Sequence, residues 1–321
     1  MSFVKNKTKH LNIDVHQYVK YIKMKNNKNR LWIVLAVILI ALITGLIVSQ
    51  KLFIGKETKG MVLLIEFEET QGLLNWANEL EGRNMTAVIQ VQHNIVGEHC
   101  DVIKNLSDRG FEISGLYAAE AFWDKNYTFQ YEKMKEVKEK IEACTGKKMR
   151  SFGSRYFAYD ETTLKVADEL GIEYVFARGT TGARATIYKP KEYNVKIIAV
   201  SNVPSEKLGT GSLCDYSLWA RGEDPDSFQK IAISSLKSND KVILVSHAYL
   251  GGMKLRWWNA YQEVLDKSKV KWMNLDEFAT VDYEMPNAQI PVNREVKYEV
   301  PKPEIPLDEE AECTSKELVC Y

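Results

Sequence analysis

Residues 241–254 read KVILVSHAYLGGMK, and His247 ends a run apolar enough to be a strand buried on both faces. An imidazole at a strand end can give or take a proton near neutral pH. A neutral histidine satisfied by one hydrogen bond is the competing structural use. Two other runs end in carboxyls: MVLLIEFEET at Glu68 and Glu69, and FEISGLYAAE at Glu120. The tyrosine-rich turn SFGSRYFAYD adds Arg155 and Tyr156. A carboxylate and an imidazole at neighbouring strand ends can move protons in either direction, and Arg155 offers a positive charge. Against this, Glu120 and Arg155 also suit a plain structural ion pair. Tyr156 and Trp219 are candidate substrate contacts, although Trp219, Trp257 and Trp258 all suit packing at least as well.

These groups need a scaffold that gathers strand ends. From Met61 the chain alternates short apolar runs with amphipathic ones: MVLLIEF, GLLNWANELEGR, TAVIQV, EHCDVIKNLSDRG, FEISGLY, TFQYEKMKEVKEKIEACTG and so on to VKWMNLDEFATV. In DETTLKVADELG, Asp160 is the cap signal and Gly171 the stop. Such regular alternation requires crossover connections and a largely parallel sheet, so the expected fold class is α/β, a (β/α) barrel of about seven strands over 61–283. In that architecture strand C-terminal ends share one mouth, which is where His247 falls. Residues 201–224 break the alternation as a long irregular insertion of the kind that rims a site. Residues 284–321, with five prolines and excess acid, read as an extended tail.

The N-terminus sets the compartment. Residues 1–30 carry Lys5, Lys7, Lys9, Lys20, Lys23, Lys25, Lys28 and Arg30 against Asp14, and 31–50 contain no charge. Twenty helical residues span about 30 Å, the hydrocarbon thickness of a bilayer. The expected order is a cytoplasmic basic segment 1–30, a transmembrane helix 31–50, a linker 51–60, and an extracytoplasmic domain and tail. A cleaved signal peptide fits poorly, because the apolar core is too long for one. Formal charge balances, 43 basic against 43 acidic side chains, so no basic stripe outside the N-terminus invites nucleic acid. The five cysteines, Cys100, Cys144, Cys214, Cys313 and Cys320, fall where disulfides persist; the odd number leaves a thiol, and CTSKELVC can close a terminal loop.

Over roughly residues 60–280 the chain resembles the polysaccharide deacetylases of carbohydrate esterase family 4, through GFEIS, YFAYDETTLKVADELGIEYVF and VILVSH. The resemblance implies a divalent metal, usually zinc, held by an aspartate and two histidines, with an aspartate base and a histidine acid acting on an N-acyl sugar. Position by position, the base falls on Glu68, the metal-binding acid on Glu69, the histidines on Leu116 and Glu120, the turn arginine on Gly153 with Arg155 two places on, and the acid on His247. Leu116 has no lone pair, so the metal site, reduced to Glu69 and Glu120, is degenerate. With the membrane span expected from 31–50, the resemblance implies a membrane-anchored protein acting on cell-envelope glycan, hydrolysing N-acyl groups if active. The alternatives are a glycan-binding pseudoenzyme and an envelope scaffold whose tail contacts a partner.

Overall fold

In the computed structural model, the described residues are 57–66, 70–179, 182–206 and 209–286, with Trp32, 35–41, 313–314 and 319–320 near the ends. The chain divides into two units, 1–56 and 57–321. In the first, residues 35–41 are helical and their large apolar side chains are exposed, Ile40 to 63%. Among the described residues no helix is long and apolar enough to cross a membrane; most of the expected span 31–50 lies outside them.

The second unit is an α/β domain on one curled sheet. Its first half follows the expected alternation: β1 (Thr58–Glu66), α1 (Gln71–Gly82), β2 (Ala87–Gln92), α2 (Cys100–Asp108), β3 (Glu112–Tyr117), α3 (Tyr127–Thr145), β4 (Ser151–Ser154), α4 (Glu161–Glu169) and β5 (Tyr174–Ala177). The Asp160 carboxylate accepts from the Thr163 N–H and the Thr163 hydroxyl returns to the Asp160 backbone, closing the foreseen capping box. Gly171, at φ 68°, stops the helix in the left-handed region as its position in the sequence required.

The second half departs from the expectation of about seven strands. Three strands follow, β6 (Thr186–Pro190), β7 (Lys196–Ala199) and the short β8 (Asn202–Pro204), which pairs in a hairpin with β9 (Thr210–Ser212). Then come α5 (Asp215–Trp219), α6 (Pro225–Ser238), β10 (Lys241–His247), α7 (Ala248–Gly251), α8 (Leu255–Lys267), β11 (Val270–Trp272), α9 (Leu275–Phe278) and β12 (Tyr283–Met285). The sheet has ten strands in the order β10-β1-β2-β3-β4-β5-β7-β6-β12, with β11 also on β1. Every pairing is parallel except β6 with β7.

The curl is not completed by a strand ladder. Single contacts bridge the seam: Ala185 N–H donates to the Lys241 carbonyl at 2.9 Å, Ile243 N–H to Ser201 Oγ at 3.0 Å and Val245 N–H to the Leu213 carbonyl at 3.0 Å. The segment expected to be an irregular rim is thus folded, and its return through Leu213 and Cys214 lies along β10. Two cores result, one between sheet and helices, and an inner one from Met61, Leu63, Ile65, Val88, Leu116, Phe176, Ile243 and Val245. Short α9 closes the inner core with Leu275 and Phe278.

Of the tail, β12 pairs with β6, and Cys313 stands opposite Cys320 in a small antiparallel ladder. Cys100 and Cys144 form a disulfide between α2 and α3, a pairing the spacing did not reveal.

Candidate active site

His247 ends β10 because Val242–Val245 supply an apolar core strand and α7 begins immediately after it. The residue is only 6% exposed. Its Nδ1 lies 3.0 Å from Asp215 Oδ1 and 3.3 Å from Cys214 Sγ. Asp215, fully buried, takes the His247 N–H at 3.0–3.1 Å on both oxygens, the Tyr216 N–H at 2.6 Å on Oδ1, and the Ser246 hydroxyl at 2.8 Å on Oδ2. Trp76 Nε1 then donates to Ser246 Oγ at 3.1 Å, and the Tyr261 hydroxyl donates to the Val245 carbonyl. A carboxyl surrounded by donors acts as acceptor, so the histidine Nδ1 carries its hydrogen toward Asp215.

Space at this corner is fixed by a glycine. A Cβ on Gly251 would collide with Ser246 Oγ and Asp215 Oδ2. Sequence reasoning found His247 and missed its partner. The available signal was weak: one aspartate between apolar residues in SLCDYSLW, inside a segment without periodicity.

Cys214, Asp215 and His247 place sulfur, oxygen and nitrogen atoms within 4.8 Å of one another. Burial first, and then the Asp215 charge, push the Cys214 thiol well above its ordinary range. A protonated thiol donates to Asp215 Oδ1, at 3.4 Å, so the cluster is satisfied by its own hydrogen bonds.

Glu68 and Glu69 lie outside the described residues. Leu116 is 3% exposed and belongs to the inner core. Glu120 is about half-exposed and ion-paired with Lys125. An isobutyl group and a lysine-paired surface carboxylate do not fit the donor set of a zinc site, which takes imidazole, thiolate or free carboxylate.

Arg155 opens a single 3-10 turn, Arg155–Phe157; its Nη1 donates to the Ala119 carbonyl at 3.1 Å and its guanidinium lies 4.9 Å from the Tyr156 ring. Tyr156 and Phe157 both have positive φ, 63° and 55°, and Tyr156 is exposed. Two consecutive side-chain-bearing residues in that region are strained, which the Ser154 hydroxyl bond to the Ala158 carbonyl and the Arg178 N–H bond to the Phe157 carbonyl help hold.

Aromatic rings surround His247: Tyr216 at 5.1 Å and Tyr249 at 5.9 Å, with half-buried Trp219 5.6 Å from Tyr216. Trp257 and Trp258 are buried packing residues, Trp257 against Phe228 at 5.5 Å. His93, half-buried, stacks on Tyr117 of the helix-side core at 5.3 Å.

Residues 68–175 match the sequence profile of the polysaccharide deacetylase family. Among solved structures, a Mycobacterium smegmatis protein assigned as a polysaccharide deacetylase shares the fold with TM-score 0.57 and 12% identity, over 71% of this chain and 91% of that one. A family 4 pseudoenzyme from Bacillus anthracis aligns with TM-score 0.50 and 16% identity, over 71% and 67%. A variant of it with restored enzymatic activity aligns at 0.51 and 13%, over 71% and 70%. A peptidoglycan N-acetylglucosamine deacetylase aligns at 0.51 and 12%, over 71% and 91%. Comparison with curated proteins finds no match.

Proposed function

We propose that this chain, a divergent member of the polysaccharide deacetylase family, is a membrane-anchored protein that binds N-acylated cell-envelope glycan without the family's metal-dependent hydrolysis. The observation that carries the reading is Leu116, turned into the inner core at a position where the family resemblance calls for a metal-binding histidine. The family's solved structures include a pseudoenzyme, which makes loss of chemistry on this fold a precedent.

In this reading Tyr216, Trp219 and Tyr249 form an aromatic wall beside His247, suited to the apolar face of a pyranose. Asp215 holds the imidazole in a fixed orientation beside that wall. Arg155 and Tyr156 furnish the other rim. The uncharged run 31–50, after a lysine-rich segment, supports a single membrane span with the domain outside. The Cys100–Cys144 disulfide supports the same placement, since such bonds persist in oxidising compartments.

The intact Asp215–His247 pair favours a second reading, slow N-acyl hydrolysis with Glu68 as base and His247 as acid. Titrating the full-length protein with N-acetylglucosamine oligomers tests the first: saturable binding is expected. Tyr216→Ala should weaken it by about tenfold, the loss of a stacking contact of about 1.4 kcal/mol. Absence of binding to acetylated and deacetylated oligomers alike would reject the reading.

A further inference from the structure

Gln90, Ser114 and Ser151, on β2, β3 and β4, are each completely buried. The ladders put Gln90 opposite Ser114, and pairing of Gly115 with Phe152 puts Ser114 level with Ser151. Ile65 and Tyr174, at the same level on the flanking strands, belong to the inner core. By strand alternation, all three polar side chains face the interior of the curled sheet in one row. Among the described residues neither Gln90 Nε2 nor Oε1, nor either serine hydroxyl, has a hydrogen-bond partner. A Cβ on Gly153 would collide with Gln90 Nε2, so the carboxamide lies against β4 where a glycine leaves room.

Native proteins satisfy nearly all buried polar atoms, and four bare ones in a single row would offset much of a domain's net stability. We propose that this row is an internal hydration site, with one or more long-lived waters held by the Gln90 carboxamide and the Ser114 and Ser151 hydroxyls under Gly153. The chemistry selects water. The amide offers a donor and an acceptor, each hydroxyl turns to suit, and buried water commonly makes about three such bonds. No carboxylate stands in the row to attract a hard cation, and complete burial excludes larger solutes. The inference is independent of what the cleft binds.

Selective 15N labelling of glutamine side chains in the full-length protein tests it by NMR. The Gln90 carboxamide protons, assigned by their loss in Gln90→Met, are expected to show cross-relaxation to the water resonance with the sign of a long-lived bound water. The Gln90→Met and Ser114→Ala variants are expected to melt at lower temperature, since each strips a partner from a bound water. A carboxamide with no cross-relaxation to water would overturn the proposal. So would a Gln90→Met protein that melts higher, which is the signature of relieving a dry, unsatisfied amide. If Gln90→Met does not fold, assignment by backbone connectivity in the parent protein leaves the relaxation test intact.

Discussion

Asp215 is the residue on which the site corner rests. It accepts from Ser246, Tyr216 and the His247 backbone, and it orients the His247 ring. Asp215→Ala strips the acceptor from several buried donors at once, so we expect a loss of about 3 kcal/mol or more in denaturant unfolding, with weaker glycan binding. A stability change under about 0.5 kcal/mol, typical of surface substitutions, would mean the network is not what holds this corner. His247 was legible because an apolar strand announces where its last side chain must emerge. Asp215 was not, because it reaches the site through tertiary return of a segment whose sequence has no period.

At the level of elements, the seam of the curled sheet is where charge matters. Lys241, 5% exposed, bonds the Thr280 carbonyl and Asp282, while Arg184 bridges Asp282 and Asp240. Burial alone would raise the Asp282 pKa, but Arg184, the Ile187 N–H and Lys241 outweigh it and hold the carboxyl below its ordinary 3.8. A carboxyl depressed in the folded state contributes stability above its unfolded pKa and loses it as pH falls through the folded value. Melting temperature should therefore fall as the pH drops below about 4, and Asp282→Asn should flatten that acid limb; an unchanged slope would remove Asp282 from the seam's account.

A second element-scale prediction concerns the Cys100–Cys144 bond, which ties the start of α2 to the end of α3 across 44 residues. Reduction should cost about 4 kcal/mol on the loop-entropy scale, read as a lower denaturation midpoint. No shift would contradict it. The alternation in 61–178 was plain from periodicity and caps. β6 was not foreseen, because TIYKP is short and ends in proline, and the disulfide was not, because cysteine spacing alone does not fix which helices pack together.

The whole molecule joins a basic N-terminus, an uncharged run and a folded domain whose residues 68–175 match the polysaccharide deacetylase profile. Protease applied outside intact cells should shorten the protein to an N-terminal stub, and full protection of 51–321 alongside intact cytosolic controls would contradict the proposed topology. We propose that this fold keeps a glycan cleft and has lost metal-dependent hydrolysis, because Leu116 belongs to the inner core and Glu120 pairs with Lys125. The most direct test is acetate release from N-acetylglucosamine oligomers by full-length protein with added zinc, in samples already shown to bind the oligomer. Binding with no acetate above the protein-free control is the predicted result; zinc-dependent release that disappears in His247→Ala would contradict the account.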